Sequence, residues 1–135
     1  MDNDPKRNYL ITGAPQCPYP DHYLGPERPG SGLEDAGQLV DHLYIQFYNN
    51  YCHTGAGKWF INTLNQWLAF SKRMKPKGPL IFIALPAATR ASSGAQYYRP
   101  PDELTAMYQV GQIFKGIGGI MLWDVSLDQN NVING

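Results

Sequence analysis

Residues 40–86 read VDHLYIQFYNNYCHTGAGKWFINTLNQWLAFSKRMKPKGPLIFIALP, and the change of period inside this stretch decides the fold. Over residues 40–48 the side chains alternate. Leu43, Ile45 and Phe47 fall on one side and Tyr44, Gln46 and Tyr48 on the other, the two-residue repeat of a strand. From 58 to 74 the repeat lengthens, and Phe60, Leu64, Trp67 and Leu68 share one face of an amphipathic helix. Residues 80–86 return to a short apolar run closed by a proline, which again reads as a strand. Strand, helix, strand predicts two parallel neighbours, because parallel strands need a crossover to carry the chain back to the same end.

Outward from this unit the same pattern repeats. Residues 9–15 and 119–125 are two more apolar runs that read as strands, and 32–39 is a shorter helix after a loop rich in proline and glycine. Pro100 and Pro101 open a segment in which Leu104, Met107, Tyr108, Gly111 and Phe114 recur at helical spacing; Asp102 and Glu103 in its first turn and Lys115 in its last suit the helix dipole. Successive strand–helix units describe a parallel sheet, which a barrel or an open doubly wound sheet would both satisfy. No GxGxxG or GxxxxGKS/T follows any strand, so a nucleotide-binding version has no support. Gly116, Gly118 and Gly119 lead into a strand rather than out of one, and read as a helix cap and a flexible entry.

The chain of 135 residues, 43% hydrophobic, has the size and apolar content of one domain. Eleven Lys and Arg balance eleven Asp and Glu, so no general field draws the protein to nucleic acid or to an anionic membrane. Neither a secretory-type apolar run near Met1 nor a membrane-length apolar stretch occurs in the sequence. Nine Tyr and three Trp suit a surface that stacks sugar rings, and equally a tyrosine-rich core. Cys17 and Cys52 sit in Pro- and Asn-rich loops at a separation that fits no CxxC metal or redox pair. They read first as a loop-to-loop disulfide and otherwise as two free thiols.

Unusual residues gather at the ends of the strands, where a parallel barrel keeps its chemistry: Gln16 and Cys17; Gln46, Tyr48, Asn49 and Asn50; Pro86; Trp123 and Asp124. On the strand at 40–48 the apolar face is expected to meet the helices, and the face with Tyr44, Gln46 and Tyr48 to point into the barrel mouth. His22, His42 and His53 have neither metal-ligand spacing nor a nucleophile beside them, and His22 and His53 read as solvated loop positions. No metal and no cofactor is expected.

Four segments, APQCPYPDHYLG (14–25), IQFYNNYC (45–52), FIALPAA (82–88) and GGIMLWDVS (118–126), are similar to consecutive signature segments of class III chitinases, the hevamine-like branch of glycoside hydrolase family 18. The resemblance runs from about residue 9 to residue 126 and implies an α/β fold, the C-terminal half (strands five to eight) of a (β/α)8 TIM barrel, with residues 1–135 a partial catalytic domain. It also implies hydrolysis of β-1,4-N-acetylglucosamine linkages in chitin by a retaining, substrate-assisted route, an exception to the two-carboxylate scheme.

In that family a Glu closing a DxxDxDxE motif on strand four protonates the glycosidic oxygen, and this sequence has no such motif. Glu27, Glu34, Asp35, Asp41, Asp102, Glu103 and Asp128 lack its spacing and read as surface carboxylates. By the same resemblance Tyr48 holds the acetamido group and the oxazolinium-like intermediate, Gln46 and Asn49 line that subsite, Trp123 forms its floor, and Cys17 and Cys52 form a disulfide between the loops after strands five and six. The implied partner is chitin or its N-acetylglucosamine oligomers, and the implied parent is extracellular. The chain itself, from Met1 to Gly135, is expected to be inactive and to self-associate through open sheet edges. The alternatives are a non-catalytic chitin-binding or inhibitor-type member, or a truncated product without independent function.

Overall fold

The computed structural model of the protein describes residues 9–109 and 116–129. Its strands are β1 (Thr12–Gly13), β2 (His42–Gln46), β3 (Leu80–Pro86) and β4 (Gly119–Trp123). They form one parallel sheet in the order β1-β2-β3-β4. Strand order thus follows chain order with no reversal, which is how a barrel is wound; a doubly wound sheet turns back at its switch point. The helices are α1 (Gly32–Ala36), continued by a 3₁₀ turn at Gly37–Leu39, then α2 (Lys58–Arg73), α3 (Pro101–Gln109) and α4 (Val125–Gln129). No described helix is long and apolar enough to cross a membrane.

The core lies between the sheet and α2. Leu43 and Ile45 stand opposite Ile81 and Ile83 in the register of β2 and β3. With Phe47 and Leu85 they are buried in one cluster with Phe60, Leu64, Trp67 and Phe70 of α2, so the two-residue repeat of the strand and the longer repeat of the helix meet as expected. Phe47 and Phe60 meet edge to face at 4.9 Å, and Tyr19 stands the same way against Trp67 at 5.0 Å. Two glycines let backbone and ring come close: a Cβ on Gly78 would lie 1.9 Å from the Ser71 carbonyl oxygen, and one on Gly118 would lie 2.7 Å from the Phe82 ring. The last turn of α2 carries Lys72 and Arg73, as the helix dipole favours. Arg73 also pairs with Glu34 at 2.8 Å. Its guanidinium, helped by the Glu27 N–H, holds the Glu34 carboxyl down at about 2.

Where the elements differ from expectation, the edges of the sheet explain it. The run at 9–15 forms only two residues of strand, since Pro15 has no N–H to give the ladder and β1 pairs on one side alone among the described residues. Pairing then resumes past the proline, through the bridge between Gln16 and Gln46. Tyr9, Leu10 and Ile11 are exposed beside β1, and Ile120, Leu122 and Trp123 are exposed on β4. Both outer strands therefore present an unpaired edge among the described residues. Of the helix expected from Pro100, residues 101–109 are helical, and Leu104 and Met107 pack on the core. Gly111, Phe114 and Lys115 lie outside the described residues.

Cys17 and Cys52 are joined by a disulfide with Cα atoms 6.0 Å apart. It ties the loop after β1 to the loop after β2. Closing a 35-residue loop stabilises by about 3 to 4 kcal/mol through the entropy of the unfolded chain. The double variant Cys17→Ser/Cys52→Ser should therefore unfold at a lower urea concentration by that free energy, with little change in the far-ultraviolet circular dichroism of the folded state. An unchanged midpoint would show that the bridge carries no stability.

Candidate active-site cleft

The C-terminal ends of the strands enclose a cavity of about 320 Å³, bordered by Ala14 after β1, by Gln46, Tyr48 and Asn49 at the end of β2, by Ala91 after β3, and by Met121 and Trp123 of β4. All four strand ends contribute. The alternation of β2 explains the selection: Leu43, Ile45 and Phe47 go to the helices, which leaves Gln46 and Tyr48 for the opposite side.

Each polar residue is held by a neighbouring loop. The Gln46 side-chain amide donates to the Ala14 carbonyl at 2.6 Å. Asn49 has φ 58°, a left-handed backbone that asparagine tolerates better than most residues, and its Oδ1 accepts from both the N–H and the hydroxyl of Ser93 at 2.8 Å. Asn50 donates to the Gln16 side chain, which adds a second tie between the first two loops. The Trp123 carbonyl accepts from Ala87 N–H at 2.8 Å, so the end of β4 is fixed to the chain after β3.

Tyr48 differs from the others. Only 7% of it is exposed, and its hydroxyl has no hydrogen-bond partner among the described residues. Burial alone pushes its pKa above the ordinary phenol value of 10.0. It is a neutral, unspent donor at the wall of the cavity. Trp123, 53% exposed, offers an open indole face.

No carboxylate borders the cavity among the described residues. Asp124, next to Trp123, is engaged in capping α4: its Oδ1 accepts from the Ser126 hydroxyl at 2.5 Å, from Ser126 N–H at 2.9 Å and from Leu127 N–H at 3.2 Å. The Ser126 hydroxyl first, and the Leu127 amide next, lower its pKa. Asp41 is bound to Ile11 N–H and Lys77. Among the described residues no three of His, Cys, Asp and Glu come together as a metal site.

Comparison with known proteins follows the same outline. Endochitinase 2 of Metarhizium robertsii is 39% identical over 142 residues, which covers 98% of this chain and 32% of that protein. The class III chitinase of Arthroderma benhamiae is 30% identical over 133 residues, covering 93% of this chain and 37% of that protein. The crystal structure of ICChI chitinase from Ipomoea carnea superposes with a TM-score of 0.67 at 27% identity, covering 91% of this chain and 42% of that one. Along nearly its whole length the chain is thus similar to part of the chitinases of glycoside hydrolase family 18. It spans about a third of the length of those curated relatives, and its sheet is part of a TIM barrel. No family model matches the chain.

Within this segment Gln46, Tyr48, Asn49 and Trp123, which lie 77 positions apart at the extremes, share one cavity. Sequence reading missed residues that order the loops around them. Asp21 is buried in the loop after β1 and accepts from Gln16, Tyr23 and Leu24 N–H at 2.7 to 3.0 Å. The Pro20-Asp21 pair was its signal, since aspartate after proline starts turns by accepting from the backbone ahead of it. Ser93, which anchors Asn49, had no signal at all. His22 is exposed, but the reading of His53 as a solvated loop residue is corrected: its ring stands edge-on to Tyr97 at 5.1 Å and accepts from Gly55 N–H. Burial, and then the charge of Arg99, lower its pKa.

The state of Tyr48 can be measured. A phenolate absorbance titration of the protein, less that of Tyr48→Phe, should isolate one ionisation above pH 10. The folded pKa is raised, so what the neutral phenol contributes to stability is complete below the unfolded value and is lost as pH rises through the folded one. An ionisation at or below 10 would mean that the ring is not desolvated.

Proposed function

We propose that this chain supplies the sugar-holding side of the cleft of a chitin-hydrolysing barrel, and that the catalytic acid comes from the part of the barrel this sequence does not contain. The observation that carries the reading is Tyr48, a buried neutral donor without a partner among the described residues, in one cavity with Gln46, Asn49 and an open tryptophan face. In the proposed step the substrate's own acetamido oxygen attacks the anomeric carbon while a glutamic acid protonates the departing glycosidic oxygen. Tyr48 donates to the acetamido oxygen and fixes its line of attack. A phenol is protonated across the neutral and acidic range, so Tyr48 is a donor there, and burial raises its pKa further. Gln46 and Asn49, each tied at one end of its amide, border the same subsite, and Trp123 packs against the apolar face of a pyranose ring.

The absence of a DxxDxDxE motif supports an inactive isolated chain, since a positioned general acid contributes about 10²- to 10⁴-fold. The Cys17–Cys52 bridge supports an extracellular parent, because such bonds persist in oxidising compartments. The unpaired edges of β1 and β4 support association with a second half-barrel, or with another copy when that half is missing.

Supplying an N-terminal half-barrel that carries the motif, by fusion or co-expression, should create hydrolysis of an N-acetylglucosamine oligomer that neither half shows alone. In the completed enzyme Tyr48→Phe should lower kcat about a hundredfold with a small change in KM, since one donor is lost where charge changes. Trp123→Ala should raise KM as well as lower kcat, because the indole face serves ground and transition states alike. Full activity in Tyr48→Phe would reduce that residue to packing. Turnover by the isolated chain, abolished at one of its own carboxylates, would overturn the division of labour.

A further inference from the structure

A second concavity, of about 510 Å³, borders Tyr51 in the loop that also carries Tyr48. It is bordered by Tyr19 from the loop after β1, by Tyr51 from the loop after β2, and by Trp59, Asn62, Asn65 and Gln66 of α2. None of these residues borders the cleft, and none belongs to β1 or β4.

Its composition is specific. Tyr51 and Trp59 are 55% and 52% exposed, and their rings stand perpendicular with centroids 5.7 Å apart, which makes a two-walled aromatic corner. That corner is held in place. Tyr51 adjoins the disulfide at Cys52, Trp59 sits in the first turn of α2, and Tyr19 is wedged against the buried Trp67. Beside it Asn62 and Gln66, one helical turn apart, and Asn65 project exposed amides that have no hydrogen-bond partner among the described residues. No carboxylate borders the groove among the described residues, and Lys58 is spent over the Trp59 ring at 5.7 Å.

Aromatic faces with neutral amides, and neither aliphatic side chains nor paired charges, suit a neutral ligand with flat apolar faces and many hydrogen-bonding groups around its rim. A pyranose chain has this form, and one bearing acetamido groups matches the amides donor to acceptor in both directions. We propose that the groove bordered by Tyr51, Trp59, Asn62 and Gln66 is a second carbohydrate site, separate from the cleft, for a chain of β-linked N-acetylhexosamine units. The choice of sugar rests on the function proposed above; the site itself rests on the groove. The loop at 47–57 borders both sites, so one long polymer held at the groove stays close to the cleft.

The three tryptophans allow the sites to be read apart. Trp123 lies in the cleft, Trp59 in the groove, and Trp67 in the core with its indole donating to the Cys17 carbonyl. With the indoles ¹⁵N-labelled, the full chain is titrated with the soluble tetramer of N-acetylglucosamine and, separately, with cellotetraose. The Trp59 resonance should shift and saturate, should do so again in Trp123→Ala, and should need about tenfold more tetramer in Tyr51→Ala. Gln66→Ala, exposed and outside the core, should weaken the response without altering the fold. A silent Trp59 beside a moving Trp123 overturns the groove and leaves the cleft reading intact; a moving Trp59 beside a silent Trp123 supports the groove and tells against the cleft. If neither moves, both fail. An equal response to cellotetraose overturns the assignment to acetamido-bearing chains.

Discussion

The hydrogen bond from the Trp67 indole to the Cys17 carbonyl, 3.0 Å long and fully buried, joins the helical layer to the rim where the strands end. From the carbonyl the connection runs through the Cys17–Cys52 bridge into the loop that carries Tyr48 and Tyr51. Without the indole, a buried carbonyl would lose its partner, at a cost of about 1 to 3 kcal/mol. The packing of α2 on β2 and β3 is thereby transmitted to residues that belong to neither layer. Tyr19, leaning on the same indole, extends the support to the outer groove.

The rim residues divide their polar groups. Gln46 uses one end of its amide to hold the first loop, and Asn49 uses one end of its own to hold the third, while both border the cavity. Tyr48 has no such tie and is fixed by burial. Positioning by hydrogen bonds and positioning by packing therefore alternate from Gln46 to Tyr48 to Asn49. A side chain held by packing keeps its polar group free of a hydrogen bond within the protein, whereas one held by a hydrogen bond does not.

Much of this was legible in local pattern. β3 spans the residues its apolar run marks out, and α2 differs from its periodic segment by one residue, because both are buried along one side and so carry an uninterrupted signal. The expected strand at 9–15 shortened because hydropathy does not reveal that Pro15 interrupts a ladder already limited to one partner. The cleft residues on β2 could be read from alternation, but Ser93 and the packing of His53 on Tyr97 could not: those contacts join residues 44 positions apart, and neither partner has a local period to show it. The roles of Tyr48 and Trp123 came from resemblance; what the structure adds is that they share a cavity.

Asn49 has a consequence for which substitutions the rim can absorb. Its left-handed backbone and its oxygen acceptor are two separate demands on one residue. Glycine meets the first and drops the link to Ser93. Aspartate keeps the acceptor and tolerates the backbone, but it brings a charge to a rim whose other bordering residues are neutral. Most other side chains fail both demands at once. Position 49 therefore has few tolerable neighbours in sequence space, and the side chain that borders the cavity is also the one that folding of the rim requires.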